Sequence, residues 1–381
     1  MQPAVRTAIE SPQKVVEWSF LAAARRLRLE PDLVQRMQLP WREVAVSVPI
    51  RRQSGEVLIL ECIRVLHSNL RGPALGGMQM HLPMDEFVVG PMAFSNTLVS
   101  TVAGVPFGGS FGAFCFDLNE LNEDEREQLA LGYAARVEPI FGPYRDVYAK
   151  SECTPVLNLM LNAPNVDASF AEVCGKPKHR GGLLDDKLAE NALPALILQM
   201  ANAFLHVREP LKVAVAGEPR RAHAIAQTLR WAKMNAIAAG QGRTHQELLA
   251  SPCDVLVYCG ESCSFKPATA DEIRARLVIE ASPMAITPAA DNALQARNIE
   301  VVPDLLARAP EFIAAYLEWS QNLDGVQYSE LRLRETMRER VEKACSRVLE
   351  CAEERELTLR EAAYEIAVEN LARCEALRAV A

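Results

Sequence analysis

The chain has 381 residues, of which 49% are hydrophobic and 24% are charged, and its formal net charge is −8. This length is enough for two domains with cores of their own, and the composition is that of a globular protein. The negative charge argues against nucleic acid or an anionic membrane as a partner, because both require a basic surface. No apolar run approaches the roughly 18 residues of a membrane span, and the N terminus has no apolar signal core, so we expect a cytosolic protein.

The first part of the chain predicts helices around a small sheet. Residues 11–38 have a helical pattern, and the β-branched stretches 43–52 and 56–68 predict two strands joined at the turn QSGE. Acidic residues at its start and the segment GPYRD at its end mark an amphipathic helix over residues 123–140. We therefore predict that the first part of the chain forms an α/β domain.

The composition changes at residues 173–182, where glycine, proline and basic residues cluster as in a linker. This places a first domain at residues 1–180. Strands and helices then alternate, which predicts a parallel, doubly wound, Rossmann-like sheet over residues 181–345. The domain is shortened, because only the short helix THQELLAS fits between two of its strands. The remaining residues, 346–381, are predicted as helices that pack back on the first domain. The strands are predicted at 212–217, 235–240, 253–260, 277–282 and 299–306, and the helices at 191–206, 221–233 and 269–277.

The ten cysteines do not form a metal-binding pattern. The closest pairs are Cys259 with Cys263 and Cys345 with Cys351, and neither has a second pair or a histidine at zinc-ligand spacing. We therefore expect reduced, largely buried thiols and no metal.

The segment KVAVAGEPRRAHA has the strand–turn–helix layout of a dinucleotide fingerprint. That fingerprint needs three glycines, because the backbone must approach the pyrophosphate and the helix must approach the strand. Only Gly217 is present, and Pro219 and Ala222 occupy the other two positions. Pro219 also removes an N–H where a phosphate would be held, and the acidic residue expected about 20 positions later is missing. A turn that binds no dinucleotide is favoured, although Arg220 and Arg221 could hold another anion at the helix N terminus.

A second glycine-rich segment, VPFGGSFGA at residues 105–113, predicts a tight loop that lets a substrate approach the main chain. The side chain at its centre is Phe111, which can neither donate, accept nor transfer a proton. The loop therefore has the shape of a site without its chemistry.

Six segments occur in a characteristic order: RVLHSNLRGPALGGMQMH (64–81), VPFGGSFGA (105–113), GPYRDVYAKSECT (142–154), GKPKHRGG (175–182), LVIEASPMAITPAAD (277–291) and VVPDLLARAPEFIAAYLEWSQN (301–322). Together they resemble the glutamate, leucine, phenylalanine and valine dehydrogenase family, from about Arg42 to the C terminus. The resemblance implies a two-domain fold, a hexamer built through the first domain, and NAD(P)-dependent oxidative deamination of an L-amino acid.

The functional positions implied by this resemblance hold other residue types. The two substrate-binding lysines fall on Leu75 and Val99. The catalytic lysine falls on Phe111, and the aspartate that shuttles the proton falls on Ser151. The substrate-side serine falls on Ala315. Because the reaction needs an amine of lowered pKa and a nearby carboxylate, we predict that no catalytic residue is intact. Three lysines replaced by apolar residues also predict a packed cleft.

The cofactor positions implied by the resemblance are also altered. A nucleotide-contacting threonine falls on Glu190, and the asparagine near the nicotinamide falls on Pro283. An asparagine and a pair of glycines are replaced by Arg308, Pro310 and Glu311. We therefore expect no bound cofactor. Other residues of the family segments are retained, and we expect them to shape turns and strand edges. They are Arg64, His67, Gly72, Pro73, Gly76, Gly77, Pro106, Gly108 and Gly109.

These observations leave three functions open. The favoured one is a non-catalytic homologue that regulates or stabilises an active glutamate or other amino-acid dehydrogenase in a hetero-oligomer, with an amino acid such as leucine as effector. The alternative is a free-standing sensor of an amino acid or a nucleotide. An active amino-acid dehydrogenase with displaced catalytic groups is the least favoured, because the replacements are apolar.

Overall fold

A computed structural model of the chain describes residues 11–80, 86–164, 170–183, 188–205, 210–238 and 244–378. The helices in these ranges are α1 Pro12–Arg26, α2 Pro31–Gln38, α3 Glu86–Val102, α4 Glu123–Val137, α5 Thr154–Met160, α6 Leu188–Phe204, α7 Pro219–Trp231, α8 His245–Leu249, α9 Pro267–Glu272, α10 Pro288–Ala296, α11 Asp304–Ala307, α12 Ala309–Asp324, α13 Glu330–Arg355 and α14 Leu359–Arg378. The strands are β1 Arg42–Arg51, β2 Val57–Ser68, β3 Ala74–Gly76, β4 Met78–Met80, β5 Gly109–Phe114, β6 Asp146–Tyr148, β7 Lys212–Gly217, β8 Asn235–Ala238, β9 Val255–Cys259, β10 Leu277–Glu280 and β11 Glu300–Val302.

The first domain is built on a four-stranded sheet with the order β1-β2-β5-β4. The predicted strand pair is confirmed: β1 and β2 run antiparallel, with Val48 opposite Leu60. The alternating pattern of β1 places Val48 and Ile50 in the core and their neighbours at the surface. Strands β3 and β6 form a separate parallel pair, in which Leu75 lies opposite Val147.

Helices cover both faces of this sheet. Helix α3 packs on β2 and β5 together with α1 and α14, while α4 packs on β1 and against α5. The chain reaches α4 through a capping box, in which Asn122 and Glu125 each bond the other's backbone N–H. The sheet therefore separates two apolar cores, and the core on the α3 side continues into the second domain.

The second domain contains a parallel five-stranded sheet with the order β11-β10-β9-β7-β8. In the described part of the chain, only the short helix α8 connects β8 to β9. Helices α13 and α14 follow, and α14 returns to pack on α1 and α3. The predicted two-domain α/β fold and the return of the last helices are thus confirmed. Because α13 runs across residue 345, the proposed domain limits stay a prediction.

Three predicted helices differ from the structure. The stretch 11–38 is two helices, separated where Arg28 adopts a φ of 53° and Pro31 begins α2. The helix predicted at 269–277 is α9, which ends at Glu272, because Ile273 is extended and the Arg297 guanidinium binds the carbonyls of Ala270 and Ile273. Helix α6 begins three residues earlier than predicted, and its predicted end at His206 lies outside the described residues.

The structure also bears on the membrane, thiol and metal expectations. No described helix combines the length and the apolar character that crossing a bilayer requires. All ten cysteines are unpaired, and burial raises the pKa of the Cys253 and Cys259 thiols to about 11. Among the described residues, no three histidine, cysteine or acidic side chains are grouped as metal ligands.

Candidate functional site

A cavity of about 530 Å³ lies between the two domains. Its wall includes Leu75 from β3, Phe111 from β5, Ser151, Pro283 and Ala315 from α12. The structure therefore brings together five positions that the resemblance assigns to substrate, acid–base chemistry or cofactor. The prediction of a packed cleft is wrong. Leu75 and Phe111 belong to the apolar core beneath the cavity and leave the cavity itself open.

One of the other predicted positions, Val99, does not contribute to this wall. Val99 lies on α3, is fully buried, and packs into the core instead of lining the cavity. Glu190 lies within α6, but its side chain is outside the described residues. The structure thus brings Leu75, Phe111, Ser151 and Ala315 to the cavity wall and leaves Val99 in the apolar core.

The floor of the cavity is organised by Arg64, which is fully buried on β2. Its guanidinium donates to both carboxylate oxygens of Asp146, each at 2.8 Å, and to Ser110 Oγ at 2.7 Å. It also donates to the carbonyls of Gly76 and Gly77, at 3.0 and 2.6 Å. We call this set the floor network. It ties β2, β3, β5 and β6 together with every charge compensated.

Close packing around this floor requires glycines in the two glycine-rich segments, residues 64–81 and 105–113. A Cβ on Gly76 would lie 1.6 Å from the carbonyl oxygen of Ser110, and a Cβ on Gly108 would lie 1.7 Å from that of Ser68. Both approaches are shorter than any real contact, so only glycine fits. The shape of the loops is therefore maintained by packing and needs no substrate to explain it.

Phe111 and Ser151 occupy the two positions to which the resemblance assigns the acid–base pair. Ser151 Oγ accepts the N–H of Met78 at 3.3 Å, and the Ser151 N–H donates to Thr154 Oγ1 at 2.8 Å. Phe111 is 9% exposed. Beside them, Lys150 and Glu152 also line the cavity, and Glu152 accepts the N–H of Met80 at 2.7 Å. Sequence reasoning missed Lys150, although its place directly before Ser151 was a usable signal.

A second missed group is the ion pair between Lys176 and Glu318. Lys176 Nζ lies 2.9 Å from Glu318 Oε1, and both side chains are buried. The Glu318 carboxylate also accepts the N–H groups of Gly175 and Lys176. Because the pair joins the connection between the domains to α12, we call it the hinge pair. The partners are too far apart in the sequence for any local pattern to reveal the contact.

Side chains from both domains meet at the rim of the cavity. Arg308 donates to Asn96 Oδ1 at 2.7 Å and to Ser95 Oγ at 3.2 Å, both on α3. On its other side, Arg308 Nε lies 3.9 Å from Glu311, and burial lowers the pKa of the guanidinium. Glu311 in turn lies 3.3 Å from Arg221 on α7. This rim network connects the first domain to the second.

The turn before α7 presents a carboxylate where a dinucleotide would place its pyrophosphate. Glu218 caps the helix and accepts the N–H groups of Arg220 and Arg221 at 3.0 and 2.7 Å. These hydrogen bonds lower the pKa of Glu218. Gly217, at a φ of 138°, is needed because a Cβ there would lie 2.3 Å from the backbone of Cys259. Pro219 is the first residue of the helix.

Of the two arginines predicted as anion contacts, Arg221 turns away from the helix N terminus. It donates to the Ala281 carbonyl at 2.7 Å and to Ser282 Oγ at 3.3 Å, in addition to its contact with Glu311. Arg220 is exposed, and Ala222 is fully buried. The N–H groups at the start of α7 are thus already bonded to the chain's own carboxylate.

Comparison with known proteins agrees with this architecture. Residues 40–159 match the model of the Glu/Leu/Phe/Val dehydrogenase dimerisation domain, and residues 220–378 match the model of glutamate/leucine/phenylalanine/valine dehydrogenase. The glutamate dehydrogenase of Thermotoga maritima is 27% identical over 93% of this chain and 94% of that protein. The NAD-specific glutamate dehydrogenase of Clostridioides difficile is 26% identical over 93% and 95%.

Solved structures show the same fold. A leucine-bound form of the hetero-hexameric glutamate dehydrogenase from Thermus thermophilus superposes with a TM-score of 0.88 at 24% identity, over 98% of this chain and 99% of that one. The glutamate dehydrogenase from Peptoniphilus asaccharolyticus superposes with a TM-score of 0.83 at 24% identity, over 98% and 100%.

Proposed function

The chain belongs to the glutamate/leucine/phenylalanine/valine dehydrogenase family, and we propose that it is a non-catalytic member that serves as a regulatory or structural subunit of an active amino-acid dehydrogenase. The observation that carries this proposal is that Phe111 and Ser151 line one cavity at the positions of the family's acid–base pair. Oxidative deamination needs an amine and a carboxylate there, and these two side chains supply neither.

The other amines at the cavity do not replace the missing lysine. Lys176 bonds Glu318 and the carbonyl of Val173, which occupy two of the three N–H donors of its ammonium. Lys150 also interacts with a neighbouring group. Neither amine lies at the position that the resemblance assigns to the catalytic lysine, which is Phe111.

The second domain argues against a bound NAD(P). A pyrophosphate at the start of α7 would meet the Glu218 carboxylate on the same N–H groups, which places like charges in direct competition. Pro219 further removes one of the donors that a phosphate would use. We infer that the turn keeps its shape for packing alone.

An assembly role is supported by the exposed side of the first domain. Strand β1 lies at the edge of its sheet, and the outer face of the hairpin presents Pro49, Val57 and Ile59, of which Ile59 is 63% exposed. A long edge strand beside exposed apolar side chains, here Val57 and Ile59 of β2, is typical of a surface that another chain covers. We propose that an active amino-acid dehydrogenase subunit, such as a glutamate dehydrogenase in the cytosol, is that partner, with an amino acid such as leucine as effector.

Co-expression with the active dehydrogenase of the same host tests this role. We expect the two chains to co-elute, and the turnover or leucine response of the active enzyme to change. Ile59→Lys is expected to abolish co-elution, whereas Val326→Lys, at an exposed apolar residue outside the first domain, is not. If the chains stay separate and no property of the enzyme changes, the subunit proposal fails.

The loss of catalysis is tested on the purified chain. We expect no turnover of glutamate, leucine, phenylalanine or valine with NAD⁺ or NADP⁺. The double variant Phe111→Lys, Ser151→Asp should also be inactive, because the cofactor turn would still be blocked. Turnover by the native chain that survives removal of contaminating dehydrogenase would contradict the proposal, and turnover by the variant alone would show that the cofactor site is intact.

The second candidate is a free-standing sensor, and the open cavity between the domains favours it. A chain that needed only its assembly surface would gain stability by filling such a space. Ligand-dependent stabilisation of the isolated chain, together with a negative co-expression result, would put the sensor first.

A further inference from the structure

The charges around the cavity are engaged with the protein itself. Lys176 pairs with Glu318, and Arg308 bonds Asn96 and Ser95. Arg221 reaches the Ala281 carbonyl and Glu311. The charged side chains that line the cavity in the described part of the chain are Lys150, Glu152, Lys176, Arg221, Arg308, Glu311 and Glu318, and each has a contact of its own.

A charged ligand would therefore compete with contacts that these side chains already make. A carboxylate moved from water into this space pays its desolvation, and Lys176, Arg221 and Arg308 are each already bonded within the protein. An α-amino acid, with an ammonium and at least one carboxylate, pays this cost twice. The cavity thus disfavours α-amino acids, which are the substrates that the family resemblance implies.

The remaining wall is apolar. Leu75 and Phe111 take two positions that the resemblance assigns to lysines, and they stand next to Met92 from α3. Ala315 and Phe312 complete this wall from α12. A cavity of about 530 Å³ falls in the range of small-molecule sites, which are lined mainly by apolar side chains with a few polar groups that orient the ligand.

One polar group remains available to orient a ligand. The Ser151 hydroxyl accepts the Met78 N–H, and no hydrogen bond among the described residues uses the hydroxyl's own proton. A hydroxyl can donate once and accept twice, so Ser151 can still donate to an oxygen of a ligand. It lies on the same wall as Phe111 and Leu75.

We propose that the cavity binds a small uncharged molecule with an apolar body and an oxygen acceptor, such as a primary amide, a ketone or an alcohol. The apolar part lies against Leu75, Phe111 and Ala315, and the oxygen accepts from Ser151. This inference rests on the proposed loss of amino-acid chemistry and names the ligand class of the same cleft.

Calorimetric titration of the full chain with matched probes tests the proposal. Hexanamide and hexanoate have the same carbon skeleton and differ in charge, and glutamate represents the family's substrate class. We expect saturable binding of hexanamide, binding of hexanoate weaker by about tenfold or more, and none of glutamate. Tighter binding of hexanoate or glutamate, or no binding of any probe, would overturn the proposal.

Variants locate the binding. Ala315→Leu narrows the cavity and is expected to weaken hexanamide binding about tenfold or more, whereas Ser320→Leu, on the same helix but outside the cavity lining, should not. Met92→Trp serves the same purpose if Ala315→Leu does not fold. Ser151→Ala should weaken hexanamide more than it weakens hexane-1-thiol, a poor acceptor. Equal affinity in the native chain and both cavity variants would place the probe elsewhere and overturn the site.

The result is separable from the proposed function. Dehydrogenase turnover by the pure chain would refute the loss of catalysis whatever the probes do. Absence of turnover together with a preference for charged probes would refute only the ligand class.

Discussion

The floor and the rim of the interdomain cavity are both held by arginines, but they are built in different ways. In the floor network, Arg64 is fully buried and satisfied by Asp146, Ser110 and two backbone carbonyls of the same domain. In the rim network, Arg308 reaches from α11–α12 to α3 while Glu311 reaches Arg221 on α7. The floor therefore shapes one domain, and the rim joins two.

This difference separates residues that the fold itself requires from residues at positions that the resemblance assigns to substrate and cofactor. The glycines and Arg64 that shape the floor cannot change without a steric clash or an uncompensated charge, whether or not a reaction occurs. The rim and wall positions faced the substrate and cofactor in the family pattern. Under the proposed loss of catalysis, such positions are free to accept apolar residues or side chains that bind one another. The pattern of retained and altered residues follows this division.

Removing Arg64 from the floor network is expected to destabilise the protein more than any other variant proposed here. Arg64→Ala leaves the Asp146 carboxylate buried without its partner, and we expect a loss of about 3–5 kcal/mol in the free energy of unfolding. Urea denaturation measures this loss. Arg338→Ala removes an exposed arginine from a pair within α13 and should cost less than about 1 kcal/mol. A floor variant as stable as this control would show that the buried pair is not what maintains the cleft.

Removing Arg308 tests the rim. Arg308→Ala gives up its hydrogen bonds to Asn96 and Ser95, and we expect a loss of about 1–3 kcal/mol, smaller than at the floor. Because those bonds join the domains, cleavage by a protease between residues 165 and 210 should also become faster. Arg340→Ala, which removes a cation stacked on Tyr316 of α12, should leave that cleavage rate unchanged. An equal change in both variants would contradict a joining role for the rim.

How far the sequence anticipated these regions depends on the range of the interactions. The β1–β2 pair, the parallel sheet and the short α8 follow local patterns of alternation and turn residues, and they were predicted. The convergence of Leu75, Phe111, Ser151, Pro283 and Ala315 on one cavity followed from the family resemblance, because the fold preserves which segments meet.

The contacts that give the cavity its character were not predictable from local pattern. Glu318 meets Lys176, and Arg308 meets Asn96, across separations that no periodicity reports. The open cavity was not predicted, because apolar side chains at three lysine positions were expected to fill the cleft. In the structure, Leu75 belongs to the core and also lines the open cavity, whereas Val99 lies in the core without lining it. Counting the glycines of the altered turn does not reveal the role of the neighbouring Glu218, whose carboxylate accepts the N–H groups of Arg220 and Arg221.

We expect the smallest effect on stability at the turn before α7. A variant there separates the structural role of Glu218 from its effect on cofactor binding. Glu218→Ala removes the side-chain cap of α7, and we expect a loss of about 1 kcal/mol in the free energy of unfolding at pH 7. The hydrogen bonds from Arg221 and Arg220 lower the pKa of Glu218 in the folded chain. For a lowered acid pKa, the stabilisation is present above the unfolded pKa and is lost as the pH falls through the folded pKa. The difference in the free energy of unfolding between the native chain and Glu218→Ala should therefore shrink in acid. Calorimetric titration of Glu218→Ala with NAD⁺ provides the second readout. If the carboxylate were the only obstacle, its removal would create saturable binding. Because Pro219 still lacks the N–H and the turn still has one glycine of three, we expect none.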